Sequence, residues 1–193
     1  MKATGICGSM RRKGLSERVL EEVMDELAAA GWDTEKIYIA DEEIRGCRAC
    51  LHCERTGECV LGGDRTDEIL TRLIPSSDVV VVAAPVYFTG VPWKLKALVD
   101  RIQLLWARRV RLGMEKAERG ASAVILVGGT SPEKYFSGPM LVLRSALKEL
   151  GYPAKWSGAL AEAESGRADS EGFMRKARRE VRTAAEAVGR KGG

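Results

Sequence analysis

The sequence predicts a doubly wound α/β fold built on a single parallel β-sheet. Short runs of β-branched residues alternate along the chain with segments whose apolar residues recur every three or four positions. This alternation is typical of parallel strands joined by crossover helices that cover both faces of the sheet. The run Val79-Val80-Val81-Val82 is apolar without interruption, which indicates a central strand that is buried on both faces.

Five strands and five main helices are predicted. We place the strands at residues 3–7, 35–40, 78–84, 122–127 and 154–160. We place the helices at residues 17–30, 67–74, 93–106, 139–150 and 171–188. Five strands of this kind fit the flavodoxin-like order 2-1-3-4-5. We expect one domain over residues 1–193, with a cysteine-rich loop inserted at 46–64, after strand 2.

Composition limits the classes of function. Apolar residues make up 45% of the chain and charged residues 30%, which is ordinary for a folded globular protein. The 31 basic residues exceed the 27 acidic ones by only four, and the two signs are mixed, so nucleic-acid binding is not expected. No apolar run is long enough to cross a membrane. The N-terminal segment turns polar too early for a signal peptide, so we expect a cytoplasmic protein with reduced thiols.

The loop after the first strand, residues 8–16, is predicted to bind a phosphate group. It contains two glycines, two serines and three basic residues directly before a helix. The free N–H groups and the dipole at a helix N-terminus favour an anion, although a polar loop with a capping serine would have a similar composition. The residues assigned to the site are Ser9, Arg11, Gly14, Leu15 and Ser16.

The loops after the third and fourth strands are predicted to flank a flat heteroaromatic ring. In doubly wound sheets, ligands bind beyond the carboxyl ends of the strands near the switch in strand order. An aromatic-rich loop there offers backbone polar groups and an apolar wall to such a ring. The same aromatic residues would also suit a core or a subunit contact. The residues assigned are Pro85, Val86, Tyr87 and Phe88, together with Gly128 and Gly129 of the Gly128-Gly129-Thr130 segment.

These two motifs, Gly8-Ser9-x-Arg11-x-x-Gly14-x-Ser16 and Ala84-Pro85-Val86-Tyr87-Phe88, resemble those of the flavodoxin-like NAD(P)H-dependent FMN reductases. The resemblance implies that the first loop holds the FMN phosphate and that the other two loops flank the isoalloxazine ring. It also implies a homodimer or homotetramer with the flavin near a subunit interface. Leu15 is a departure, because the family usually has an asparagine there.

Four cysteines, Cys47, Cys50, Cys53 and Cys59, form the most specific pattern in the chain. Thiolates are soft ligands that suit iron–sulfur clusters and zinc. Zinc usually takes two paired knuckles separated by a longer stretch, so the even spacing favours a cluster. A thiol–disulfide function for Cys47 and Cys50 remains an alternative.

The other groups near this segment have simpler interpretations. Cys7 is expected in the core, and His52 is expected to be an exposed loop residue. Asp64 and Arg65, just after the cysteines, are expected to form surface salt bridges; ordering of the cysteine loop by these residues is the alternative. The basic residues of the last helix, Arg175, Lys176, Arg178, Arg179 and Arg182, are expected to form a solvated face rather than a docking site.

The cysteine motif resembles that of the iron–sulfur flavoproteins, a branch of the same family. The match covers the four cysteines, the preceding Gly46 and the Thr56-Gly57-x-Cys59 tail. It implies that the four cysteines ligate a 4Fe–4S cluster. The expected function is a redox flavoprotein that passes electrons between FMN and the cluster, linking a one-electron carrier such as ferredoxin to an acceptor. The alternatives are an NAD(P)H-dependent FMN or quinone reductase without a cluster and a non-catalytic electron carrier. No catalytic residue is assigned, because no Ser/His/Asp set is present.

Overall fold

Five parallel strands form one sheet at the centre of the protein. The computed structural model describes residues 1–116, 118–129, 133–165 and 168–189. The strands are β1 (Lys2–Cys7), β2 (Asp33–Tyr38), β3 (Val79–Pro85), β4 (Ala121–Val127) and β5 (Ala154–Leu160). Their order is β2-β1-β3-β4-β5, with every neighbouring pair parallel. The predicted flavodoxin-like strand order is therefore confirmed.

Seven α-helices are present within the described residues, of which six lie between strands and the last follows β5. They are α1 (Leu15–Ala29), α2 (His52–Thr56), α3 (Arg65–Glu68), α4 (Trp93–Arg101), α5 (Gln103–Val110), α6 (Ser137–Glu149) and α7 (Ser170–Gly189). Short 3-10 turns stand at Ile39–Asp41, Ile74–Ser76 and Glu133–Phe136. A π-helical turn, Ile69–Leu73, continues α3.

Two helices differ from their prediction. The segment predicted as one helix over 93–106 is divided at Ile102, whose N–H donates to the carbonyl of Val99 at 3.0 Å. This i to i−3 hydrogen bond tightens the last turn of α4, and the chain changes direction there before α5 begins. The segment predicted as a helix over 67–74 begins earlier, because the Asp64 carboxylate caps the N–H of Thr66 at 3.1 Å. It also continues past Pro75, which is tolerated near the start of the final turn.

Alternate residues of the central strand supply two separate cores. Val79 and Val81 pack with α1 and α7 on one face of the sheet. Val80 and Val82 pack with α4, α6 and the 65–76 helical segment on the other face. This alternation follows from the two-residue period of a strand. Cys7 is 1% exposed within the first core, which confirms its predicted burial.

The basic C-terminal helix lies against α1. Arg178 pairs with Glu22 at 3.1 Å and Arg182 pairs with Glu26 at 3.0 Å. Surface pairs of this kind contribute little individually, so the helix is held chiefly by its buried apolar side. In the part of the chain that the structure describes, no helix combines the length and the apolarity needed to span a bilayer.

Candidate cofactor sites

A pocket of about 340 Å3 lies at the carboxyl edge of the sheet, where the loops after β1, β3, β4 and β5 meet. Its lining includes every residue of the predicted phosphate and ring sites except Phe88 and Gly128. Phe88 projects fully into solvent, and Gly128 is buried, with its backbone hydrogen-bonded to Leu160 and Ala163. Thr130 lies outside the described residues. The lining residues are Ser9, Arg11, Gly14, Leu15, Ser16, Pro85, Val86, Tyr87, Val127, Gly129, Ala163 and Glu164.

The phosphate loop is held in a tight turn by Ser9. The buried Ser9 hydroxyl donates to the carbonyl of Arg11 at 2.8 Å and accepts from the N–H of Arg11 at 3.1 Å. The turn is followed by Gly14, the residue that precedes α1. Ser16 lies in the first turn of α1, and its hydroxyl makes no hydrogen bond within the described residues. The free N–H groups of this turn and the Ser16 hydroxyl therefore form a ready anion site.

The three basic residues of the loop have different roles. Arg11 lines the pocket and reaches Glu164 across it at 3.4 Å. Arg12 instead stacks on the ring of Tyr38 at 3.7 Å and binds Asp41 at 2.9 Å. Lys13 is exposed and does not line the pocket, and its backbone N–H donates to the carboxylate of Glu17. The cationic contact to a bound phosphate is therefore left to Arg11.

The loop after β3 is a rigid wall of the pocket. The Val86 N–H donates to the carbonyl of Val127 at 3.0 Å. Tyr87 and Gly90 exchange two backbone hydrogen bonds of 3.0 and 2.9 Å, and Phe88 and Thr89 adopt positive φ angles of 47° and 58° between them. This strained turn presents Tyr87 to the pocket and Phe88 to solvent.

The third wall comes from two loops that are joined through their backbones. The Ala163 N–H donates to the carbonyl of Gly128, and the Glu164 N–H donates to that of Gly129, each at 2.9 Å. A Cβ atom on Gly129 would lie 3.0 Å from the Glu164 carboxylate, so a larger residue there would have to displace this flexible side chain. Val127, Ala163 and Glu164 were not predicted from the sequence. Because β5 is parallel to β4, the loop that follows it had to reach the same edge.

The four cysteines of the insert line one small pocket. Cys47 and Cys50 are exposed, and Cys53 and Cys59 are half-buried; all are free thiols. The short helix α2, which the sequence did not predict, begins at His52 and turns Cys53 back toward the other three. The pocket has a volume of about 30 Å3, roughly that of one water molecule.

The four thiols are soft donors of the kind that zinc and iron–sulfur clusters both take. A tetrahedral zinc requires sulfurs about 3.8 Å apart, given a Zn–S bond near 2.3 Å. No group of three or more His, Cys, Asp or Glu side chains among the described residues is arranged to hold one metal ion. Four thiols spread around one pocket form the set that an iron–sulfur cluster takes. The structure thus supplies four soft donors without a preformed zinc geometry.

The thiols interact with one another and with the loop backbone. The N–H of His52 is the main cause of a lowered pKa at Cys50. Burial, followed by the negative charge of the other three thiolates, raises the pKa of Cys53. Such crowding of like charges is relieved when a cationic centre binds between the thiolates.

A buried ion-pair cluster lies at the base of the cysteine loop. Asp64 is 8% exposed and Arg101 is 2% exposed, and their side chains are 2.9 Å apart. The expectation of a surface salt bridge is therefore wrong for Asp64, whose contacts with Arg45 and Arg101 fit the alternative that it orders the cysteine loop. Arg65 pairs with Glu42 at 3.0 Å instead, because the Asp64 side chain faces inward toward helix α4.

Arg101 was not predicted from the sequence, although a signal for it exists. Leu95 and Leu98 occupy the buried face of α4, and Arg101 is the next residue at the same spacing. A charged residue in an apolar helical stripe requires a buried partner. In this protein the partners come from both ends of the cysteine loop.

Fold and site together define a flavodoxin-like protein with an open pocket at the switch point of its sheet. Residues 1–133 match the NADPH-dependent FMN reductase family, and the chain belongs to this family of FMN-dependent oxidoreductases. Within the family it resembles proteins that are named for a second redox centre.

An iron–sulfur flavoprotein from Archaeoglobus fulgidus is 37% identical over 134 residues, covering 69% of this chain and 58% of that protein. An iron–sulfur flavoprotein from Methanocaldococcus jannaschii is 36% identical over 124 residues, covering 64% and 61%. The chain thus matches about three fifths of the length of these relatives. Among solved structures, a flavone reductase superposes with a TM-score of 0.71 at 18% identity, covering 97% of this chain and 63% of that one. That likeness supports the fold.

Proposed function

We propose that the protein is a redox enzyme that binds FMN at the carboxyl edge of the sheet and a 4Fe–4S cluster on Cys47, Cys50, Cys53 and Cys59. It exchanges electrons between a one-electron carrier, such as ferredoxin, and an acceptor, and NAD(P)H is an alternative donor. One observation carries the proposal: four thiols at this spacing line one pocket in a chain of the FMN reductase family. The similarity to iron–sulfur flavoproteins supports it.

The chain's own residues bind and orient. The first-turn N–H groups of α1, the Ser16 hydroxyl and the Arg11 guanidinium would hold the phosphate of FMN. The backbone of the Pro85–Gly90 loop and Gly129 would flank its ring. When bound, FMN supplies one- or two-electron chemistry and the cluster supplies one-electron chemistry. Such transfer requires no acid or base from the protein.

Helix α4 connects the two sites. It begins at Trp93, directly after the loop that flanks the flavin pocket, and ends at Arg101 beneath the cysteine loop. Nine residues of α-helix span about 13 Å. The Lys94 ammonium group also donates to the carbonyl of Ala40 at 2.8 Å, tying α4 to the chain that leads into the insert. The two sites are thus held at the ends of one short rigid element.

The same proposal includes a homodimer or homotetramer in the cytoplasm. Phe88, Trp93 and Leu141 are large apolar side chains that are 104%, 66% and 72% exposed. Exposed apolar side chains around a pocket are typical of a surface covered by another subunit. Four reduced thiols favour the reducing cytoplasm.

Chemical analysis of the anaerobically purified protein tests the proposal. We expect about four irons, four acid-labile sulfides and one FMN per chain. Cys53→Ala should lose the iron and sulfide and keep the FMN, because Cys53 lies outside the flavin pocket. The matched control is Cys7→Ala, which removes a buried thiol from the sheet and should retain the iron. Iron in Cys53→Ala at the wild-type level would contradict the ligand assignment.

A second candidate is an NAD(P)H-dependent FMN reductase whose cysteine loop holds no cluster. The small volume of the thiol pocket, about 30 Å3, favours it. This candidate predicts stoichiometric FMN with neither iron nor sulfide in the anaerobic wild-type protein. It also predicts that all four cysteine variants oxidise NAD(P)H at the wild-type rate.

A further inference from the structure

Arg101 closes the neck of the cysteine loop from inside the protein. One of its terminal nitrogens donates to the carbonyl of Arg45 at 3.1 Å and to the Asp64 carboxylate at 2.9 Å. The other donates to the Asp67 carboxylate at 2.9 Å and to the carbonyl of Leu61 at 3.4 Å. Arg45 lies two residues before the first cysteine, and Leu61 lies two residues after the last. One side chain therefore joins both ends of the loop.

The neck contains further bonds that depend on the same residues. The Arg45 guanidinium donates to the carbonyls of Leu61 at 3.1 Å and Gly62 at 2.8 Å. The Arg45 N–H donates to the Asp64 carboxylate at 3.0 Å. Asp64 thus accepts from Arg45 and Arg101 and also caps α3. Only a planar, permanently charged group with five donors can satisfy this many acceptors from one position.

The charge of Arg101 lies close to the last cysteine along the chain, because its guanidinium contacts the carbonyl of Leu61, two residues after Cys59. Burial alone would lower the pKa of Arg101, but hydrogen bonding and charge attraction from Asp64 raise it, and Cys59 and Asp67 add to the rise. Asp64 and Asp67 balance the charges of Arg101 and of Arg45, the second cation beside Asp64, so loss of Arg101 would leave the neck with a net negative charge. A fixed positive charge beside thiolate ligands favours the more negative, reduced form of a centre held there.

We infer that Arg101 is a positioning residue for the second redox centre: it closes the cysteine loop onto the end of helix α4 and holds a buried positive charge beside the ligands. The inference rests on the proposed function for the identity of the centre. The closure itself is a property of the chain alone. Arg101 therefore couples the geometry of the cysteine loop to the helix that starts at the flavin pocket.

The first test needs no cluster. Amide hydrogen exchange is compared in the chelator-treated wild-type protein and in Arg101→Gln. We expect exchange over residues 46–63 to be about tenfold faster or more in the variant, because both ends of the loop lose their common donor. Arg109→Gln is the matched control, since Arg109 makes a two-bond pair with Glu149 elsewhere on the molecule. Equal protection of residues 46–63 in wild type and Arg101→Gln would overturn the inference.

The second test uses the anaerobically loaded protein. Loss of iron to a chelator should be about 10- to 100-fold faster in Arg101→Gln, as is typical when a residue that supports metal ligands is removed. The midpoint potential of the remaining cluster should fall. Arg101→Lys keeps the positive charge but lacks the two-pronged guanidinium group. This variant should therefore lose iron faster than the wild type, while the midpoint potential of its cluster stays near the wild-type value. An unchanged midpoint potential in Arg101→Gln would overturn the inference that the charge of Arg101 acts on the cluster.

A folding control and the iron content of the wild-type protein distinguish failure of the Arg101 inference from failure of the proposed function. The double variant Asp64→Asn/Arg101→Gln removes the buried carboxylate charge together with its positive partner. If this variant retains FMN, its sheet has folded. Wild-type protein without iron would refute the proposed function and leave the exchange experiment to decide the closure. Wild-type protein with iron, and an Arg101→Gln variant that behaves identically, would refute the role of Arg101 and leave the proposed function intact.

Discussion

Ser16 presents a hydroxyl group to the flavin pocket from the first turn of α1. Its side chain is 4% exposed and lines the pocket beside free helix N–H groups. A hydrogen bond to a charged group contributes about 1.5–3 kcal/mol. Ser16→Ala should therefore weaken FMN binding about tenfold or more, as measured by titrating the metal-free protein and following quenching of flavin fluorescence.

Ser76→Ala is the control for this measurement. Ser76 also lies in a helical turn, but it precedes β3 at the opposite edge of the sheet, where its hydroxyl donates to the carbonyl of Leu73 at 2.8 Å. FMN affinity in Ser76→Ala should equal that of the wild type. Equal affinities in Ser16→Ala and wild type would show that the phosphate is bound elsewhere.

The partner of Asp64 could not be predicted from the sequence. Asp64 and Arg65 are adjacent, and a local interpretation gives them surface salt bridges. The actual partner of Asp64 is Arg101, 37 residues further along the chain. That pairing depends on how α4 crosses the base of the insert. No local pattern specifies such a crossing, whereas the spacing of the cysteines is itself local and was sufficient to identify the thiol pocket.

At the scale of elements, Tyr152 joins the start of β5 to the helical segment that precedes β3. Its ring is fully buried, and its hydroxyl lies 2.7 and 2.8 Å from the carbonyl oxygens of Ile74 and Ser77. Tyr152→Phe leaves both carbonyls without this donor, which should lower the free energy of unfolding by about 1–3 kcal/mol. Urea denaturation measures the loss, and Tyr135→Phe, at a half-exposed position, should be unchanged.

Tyr152 also predicts a dependence of stability on alkaline pH. Burial raises the pKa of Tyr152 to about 12, from an ordinary value of 10.0. Because the folded pKa is the higher one, its contribution is complete below pH 10 and is lost as the pH rises toward 12. The difference in unfolding free energy between wild type and Tyr152→Phe should therefore shrink over that interval. A constant difference from pH 9 to pH 12 would contradict the assignment.

Strands and helices were predicted best where their patterns were strongest. The four consecutive valines of β3 indicated a central strand, and the structure places it between β1 and β4. The division of the 93–106 segment at Ile102 had no such signal, because its residues all suit a helix. The change of direction there serves packing of α5 against the cysteine loop, where the Arg108 side chain donates to the carbonyl of Gly57 at 2.7 Å.

At the scale of the whole molecule, Phe88 predicts association between chains. Its ring is fully exposed on the strained turn beside the flavin pocket. Phe88→Asp should convert a dimer or tetramer into smaller species, since a buried carboxylate at an apolar interface is strongly unfavourable. Light scattering would show the mass falling toward 21.0 kDa, the mass of one chain.

Met114→Asp is the matched control for association. Met114 is 52% exposed, but it lies in the connection that leads into β4, at the other edge of the sheet. The mass of the Met114→Asp variant in light scattering should equal that of the wild-type protein. A monomeric wild-type protein, or an unchanged mass in Phe88→Asp, would show that the flavin-side surface is not a subunit contact.

The central claim is that the flavin and the cysteine-held cluster exchange electrons within this protein. Anaerobic stopped-flow mixing with a reduced one-electron carrier tests it most directly, with the flavin absorbance followed in wild type and in Cys53→Ala. The account predicts rapid flavin reduction in the wild type and much slower reduction in Cys53→Ala, although both bind FMN. Equal rates of flavin reduction in the two proteins would contradict it.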